Sequence, residues 1–383
     1  MGILLRDLVA ALSRAFPLRT AGYEKDAVGL QVGFDRNAEL RKLLVAYEVT
    51  EAVIDEAIAV DANCILAYHP LIFPNLSAIT DSSRTGKLVR RLVRENIALY
   101  VLHTAFDANI SFGTSTLMAQ ALGLQSLRPL APLEGKLEKL VVFVPTTEAE
   151  KVRQAMWAAG AGNIGNYDEC SFAVEGVGTF RGNDLSNPVI GTPNVRESVS
   201  ETRIEVIVEK WRSAAVIRAM IQAHPYEEVA FDLYPLANGH PTYGMGSVGE
   251  LPQPLEPDAF LRTVSRVFKT PSLRYSTVTK PTVRRIALLG GAGMDYYRAA
   301  LSADADVFVT GDVRYHDFYR AEHDGMLLVD AGHAETERWV VAGMRNALAS
   351  VELFVDLHPD VHDSFIVESR IVPNAVQYHL EQA

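Results

Sequence analysis

Residues 97–108 read IALYVLHTAFDA, and this stretch decides the fold. Its first six residues show no polar alternation, so a strand there has both faces buried. The rest opens with His103 and reaches Asp107, a pair four residues apart just beyond the strand. Two other stretches repeat the plan. NCILA (63–67) runs into Tyr68, His69 and Pro70. MLLV (326–329) runs into Asp330-Ala331-Gly332-His333, with Glu337 four residues further on. In open α/β sheets, ligands collect in the crevice beyond the carboxyl ends of the strands. A shared sheet would bring all three clusters together.

Outward from these strands the rhythm is strand and helix in turn. Lys42–Glu48 reads as a buried strand and Thr50–Val60 as a helix capped by its threonine. Thr85–Glu95 places Leu88, Leu92 and Val93 on one helical face. Residues 126–138 hold Pro129, Pro132 and Gly135 and read as a linker. From Leu140 to Tyr234 the order is β-α-β-β-α-β, that of a ferredoxin-like split unit. Gly239–Gly249 reads as the return hinge. Strands at Arg284–Leu289, Val307–Thr310 and Met326–Val329 follow, then a long helix over Glu335–Ala349. The expected fold is therefore α/β. A discontinuous domain of residues 1–128 and 245–383 carries an inserted ferredoxin-like domain at 136–240.

Bulk properties exclude several functions. The 383 residues carry a formal net charge of -11 and no long basic run, which argues against a nucleic-acid surface. No apolar run approaches the ~18–20 residues that span a bilayer, so no membrane partner is expected. Arg6, Asp7 and Arg14 interrupt the first apolar segment, which fits an amphipathic helix rather than a signal peptide. A cytoplasmic location is expected. Two cysteines, Cys64 and Cys170, cannot build a thiolate metal site. Any metal must use His and carboxylate ligands, which suit zinc, iron, manganese or nickel.

His69, Asp107, His333 and Glu337 are the candidate ligands of such a site. His and Glu four apart stack on one helical face, and one carboxylate can bridge two ions ~3.5–4 Å apart. The same spacing also occurs in plain surface pairs. His103 is read either as a third imidazole ligand or as a hydrogen-bond partner of a ligand carboxylate. His316, in VTGDVRYHD, follows another strand end as a proton donor, substrate contact or packing residue. The GGAG loop (290–293) lacks full G-x-G-x-x-G spacing and reads as a turn, with substrate phosphate as its alternative role. HPYEE (224–228) reads as a structural corner. His323, His358, His362 and His379 lie outside any cluster and are assigned to the surface.

These motifs carry a resemblance. DAVGLQVG (26–33), AYHPLIF (67–73), HTAFDA (103–108), GVGTFRG (176–182), HPYEEVAFDLYPL (224–236), GGAG (290–293), VTGDVRYHD (309–317) and DAGHAETE (330–337) resemble the Nif-three-like family. Its members are often named GTP cyclohydrolase type 2 homologues, and the likeness covers nearly the whole chain. It implies a centre of two divalent metal ions per chain, with ligands at positions 68 and 69, Asp107, His333 and Glu337, the last bridging. It also implies a ring-shaped homo-hexamer. Position 68 is Tyr where many relatives have His, and a phenol must lose its proton to bind an ion well. Ferric iron tolerates phenolate better than zinc does. The reading is a hydrolase-like enzyme acting on a small molecule. A non-enzymatic metal carrier or a regulatory interaction protein is the alternative.

Overall fold

The amphipathic opening folds as a helix, α1 (Leu5–Ala15), which buries Leu5, Leu8, Ala11 and Leu12. The structure is a computed structural model that describes residues 2–17, 26–355, 359–371 and 374–379. The chain forms two compact units. One joins Met1–Pro132 to Thr242–Ala383, and the other is Leu133–Pro241.

In the larger unit, β1 (Gly29–Val32) and β2 (Leu43–Ala46) come first. The Thr50 hydroxyl caps α2 (Glu51–Ala59) by accepting from Val53 N at 3.2 Å. Then follow β3 (Cys64–Ala67), α3 (Arg84–Arg94), β4 (Ala98–Val101), the short α4 (His103–Asp107), α5 (Thr114–Ala121) and β5 (Gln125–Pro132). Every residue of β2, β3 and β4 is buried, because apolar layers cover both faces of their sheet. Leu44, Ile65 and Leu99 face α2 and α3. Leu43, Leu66 and Tyr100 face α1 and Met344 and Leu348 of the last third.

The smaller unit runs β6 (Leu137–Pro145), α6 (Ala149–Ala158), β7 (Phe172–Arg181), β8 (Arg196–Glu209), α7 (Ser213–Ala223) and β9 (Phe231–Leu236). Its sheet order is β7-β8-β6-β9, and each neighbouring pair is antiparallel. Leu140, Val142, Ile204 and Val206 pack against Val152, Met156, Val216 and Met220 of the helices. HPYEE is a structural corner here. His224 is buried, its Nε2 donates to Phe143 O at 3.0 Å, and its Nδ1 accepts from Tyr226 N at 3.1 Å.

The chain returns to the larger unit through β10 (Gly244–Leu255), α8 (Pro257–Phe268), β11 (Arg274–Tyr275), β12 (Val283–Ala292), α9 (Tyr297–Ser302), β13 (Val307–Gly311), α10 (Tyr315–Asp324) and β14 (Leu327–Asp330). After β14 come α11 (His333–Thr336), α12 (Val340–Leu348), α13 (Pro359–Phe365) and β15 (Ile366–Glu368).

Four expectations are corrected. The unit has two sheets, not one shared sheet, with orders β1-β4-β3-β2-β15 and β11-β14-β13-β12-β10-β5. The two thirds are interlocked, since β15 pairs with β2 and β5 pairs with β10. The expected linker and hinge are these last two strands. The expected helix over Glu335–Ala349 breaks at Glu337–Trp339 into α11 and α12. His362 is half-buried against Phe354, whereas His323 and His379 are exposed and His358 lies outside the described residues. Among the described residues, no helix is long and apolar enough to cross a membrane.

Candidate metal centre

Each polar cluster does follow a buried strand, but from different sheets. His69 lies two residues past β3, and Asp107 ends the helical turn after β4. His333 opens α11 after β14, in the second sheet, and Glu337 closes it, its N–H bonded to His333 O at 3.3 Å. The two sheets present these groups to one another.

Three donors converge. His333 Nε2 is 3.2 Å from Glu337 Oε2, and His69 Nε2 is 3.5 Å from the same oxygen. One ligand atom from each of His69, His333 and Glu337 lies within 4.8 Å of the others. Ligands of a tetrahedral ion with ~2.1 Å bonds stand about 3.4 Å apart, so small shifts suffice to close on one ion. Neutral imidazole and carboxylate form a donor set that fits a divalent cation.

Glu337 is only 3% exposed and accepts from the Tyr47 hydroxyl at 2.6 Å. Burial alone would raise its pKa. The His333 hydrogen bond and charge, His69 and Tyr47 outweigh burial and hold the carboxyl ionised. His333 Nδ1 meets Asp312 Oδ2 at 2.7 Å, the carboxylate-imidazole arrangement that orients metal-ligating histidines. Held between Glu337 and Asp312, the His333 pKa is pushed up to about 9. Partial burial, then the neighbouring imidazoles, shift His69 down.

Asp107 and Tyr68 sit beside this trio. The buried Tyr68 hydroxyl donates to Asp107 Oδ2 at 2.8 Å and lies 3.4 Å from Glu337 Oε1. Burial, then the charges of Asp107 and Glu337, push its pKa well above the usual phenol value. Asp107 Oδ1 is buried without a hydrogen-bond partner. An orphaned carboxylate oxygen at this place fits a cation as its missing partner. Burial raises the Asp107 pKa to about 6, against the opposing charge of His103.

The other predicted residues separate. His103 does not bond a ligand carboxylate. Its Nδ1 lies 2.8 and 2.9 Å from the two oxygens of Asp26. His316 is exposed on α10, packs edge-on to Tyr315 and is not part of the group of three donors. Sequence reasoning missed Tyr47, Asp26 and Asp312 as contributors. Asp26 and Asp312 stand within quoted motifs, so an acidic residue in each motif was the available signal.

The sequence profile of Duf34/NIF3 (NGG1p interacting factor 3) matches residues 3–360. The chain belongs to the Duf34/NIF3 family. A Halalkalibacterium halodurans protein named GTP cyclohydrolase 1 type 2 homolog is 40% identical over 372 residues, 97% of this chain and 98% of its own. A Bacillus subtilis protein of the same name is 37% identical over 344 residues, 90% and 91% of the two chains. The crystal structure of a Bacillus cereus protein related to NIF3 superposes with a TM-score of 0.83. It is 37% identical and covers 99% of this chain and 100% of its own.

In this NIF3 chain the GGAG loop forms a wall of the centre. Thr336 Oγ1 accepts from Gly291 N at 2.9 Å, and Thr310 Oγ1 donates to Gly291 O at 3.0 Å. Gly291 has φ +65, and a Cβ on it would stand 2.5 Å from Glu337 Oε1 and 3.2 Å from His333 Nε2. Gly291→Ala should therefore displace Glu337. The expected outcome is at least a ~10-fold weaker zinc affinity by calorimetry, with ~1–2 kcal/mol lost from the metal-free fold. Unchanged affinity would mean Glu337 is not held against this loop.

Proposed function

We propose that this chain is a divalent-metal protein whose centre carries two ions per chain, with Glu337 shared, and that it works as a hydrolase-like enzyme. The convergence of His69, His333 and Glu337 from two separate sheets carries the reading, and the unpartnered oxygen of Asp107 supports a second ion beside the first. A divalent ion there supplies Lewis acidity and lowers the pKa of bound water. The chain's own residues do the rest: Asp312 aims His333, Tyr47 steadies Glu337, and His103 faces the centre from the rim. The name carried by the relatives points to a cyclohydrolase reaction on a small molecule, and phosphoester hydrolysis is the alternative for the same chemistry. A ring-shaped homo-hexamer and a cytoplasmic location belong to the same reading.

Tyr68 is the chain's own departure. Its hydroxyl serves Asp107 as a donor, so the ion beside it is the weaker of the two. Elemental analysis and zinc titration of protein purified without chelator test this. Tyr68→Phe should leave the tight ion in place and change only the affinity of the weak one, by roughly tenfold. Loss of the tight ion in Tyr68→Phe would contradict the assignment. A panel of nucleotides and phosphoesters on the loaded protein then tests hydrolysis, and turnover of none would favour a carrier.

A further inference from the structure

We propose that Asp26 is a positioning residue that fixes the tautomer of His103, so that His103 Nε2 stands as a hydrogen-bond acceptor for a molecule bound at the metal centre. The inference rests on the metal reading above for its ligand, but the Asp26–His103 pair stands on its own geometry.

Asp26 is almost fully shielded, with a side chain 5% exposed. Its carboxylate is committed to donors. Oδ1 accepts from Ala27 N at 2.8 Å. Oδ2 accepts from the Thr104 hydroxyl at 2.5 Å and from Thr104 N at 3.3 Å. Both oxygens lie within 2.9 Å of His103 Nδ1. A carboxylate surrounded by donors accepts from the imidazole too, so the ring proton sits on Nδ1. The lone pair is then left on Nε2, because the partner of one ring nitrogen decides the state of the other.

The ring is placed for use. Its centroid is 5.6 Å from that of His69 and 5.4 Å from that of Tyr68. Its ring nitrogens are outside the trio whose ligand atoms lie within 4.8 Å, and Nδ1 is taken up by Asp26, so the proposal sets His103 beside the ions. Among the described residues Nε2 has no hydrogen-bond partner, and the side chain is 27% exposed. His103 also holds φ at +35, a left-handed backbone that a non-glycine residue keeps only where its surroundings impose it. Its N–H is tied to Tyr68 O at 3.1 Å, next to His69. The chemistry this arrangement recognises is a metal-binding oxygen or nitrogen group that also carries an N–H or O–H donor.

Two measurements decide it. In alkaline buffer, where imidazole is neutral, two-bond proton-nitrogen correlation spectra of metal-free, 15N-histidine-labelled protein should show His103 protonated on Nδ1. Asp26→Leu should move the proton to Nε2, the form that free imidazole side chains favour in water. A wild-type His103 protonated on Nε2, or averaging between the two forms, overturns the proposal.

On zinc-loaded protein in the same alkaline buffer, acetohydroxamate should bind roughly tenfold more tightly than N-methylacetohydroxamate, which lacks the N–H donor, as one hydrogen bond is worth. The ratio should fall to about one in Asp26→Leu, and equally in His103→Phe, which keeps the ring's shape if the first variant fails to fold. Zinc content should be unchanged in both. Zinc loss in His103→Phe, or an undiminished ratio, overturns the proposal. If the wild type binds no zinc, the metal reading fails, and the tautomer spectrum alone judges the Asp26–His103 pair.

Discussion

Glu337→Gln should bring the metal content of the purified protein close to zero and weaken zinc affinity by more than about 100-fold. Even an outer partner of a metal site is worth ~10–100-fold, and Glu337 lies among the donors themselves. Both candidate imidazoles point at Oε2, within 3.5 Å, and Oε1 lies 3.4 Å from the Tyr68 hydroxyl. Among the described residues, no other carboxylate joins the group of three. Glutamine keeps the shape and the Tyr47 contact but removes the charge and puts an amide N–H₂ where a lone pair is required. The variant should still fold, losing ~1–3 kcal/mol because His333 loses its charged partner. Circular dichroism and thermal unfolding without metal separate this loss from collapse of the fold. Full zinc content in Glu337→Gln would remove the carboxylate from the site.

The second large effect is a pH dependence of opposite sign in the stability of the metal-free protein and in its affinity for zinc. The His333 pKa is raised from 6.5 to about 9. A raised pKa means that the folded state binds the proton more tightly than the unfolded chain does. That stability is complete below pH 6.5 and is lost as pH rises through about 9. His103 is shifted in the same direction, since Asp26 outweighs the burial that would lower it, and His69 is already neutral in this window. The metal-free protein should therefore lose stability between these limits. Zinc must displace the His333 proton, so its affinity should rise by about tenfold per pH unit over the same window and then level. The rise in melting temperature caused by zinc should be larger at pH 9 than at pH 6.5. Calorimetry in buffers of different ionisation enthalpy should find about one proton released per tight zinc near neutral pH. A thermal shift independent of pH would mean that His333 is not a ligand.

The strand ends were legible because fully buried parallel strands write themselves as unbroken apolar runs, as CILA, ALYV and the LLV of β14 do. The polar residues after them stand out against that background. The second sheet was less legible. The buried strand β10 contains Gly244, where a Cβ would stand 2.5 Å from Ala131 O of β5. Glycine there permits close approach of two strands, yet in sequence it reads as a hinge. The break in the last helix was hidden as well, since Thr336 bonds His333 O and Gly291 N rather than extending a regular turn. Asp26 and His103 are 77 residues apart, and Tyr47 and Glu337 are 290 apart. No local periodicity reports such pairs.

A metal centre of this kind requires one ion bound by His69, His333 and Glu337. An anomalous difference map from zinc-loaded crystals, collected at the zinc absorption edge, tests it most directly. A strong peak is expected about 2.0–2.2 Å from His69 Nε2, His333 Nε2 and a Glu337 oxygen, with a weaker second peak on the Asp107 side. Zinc seated elsewhere, with these three side chains bare at saturating metal, would contradict it.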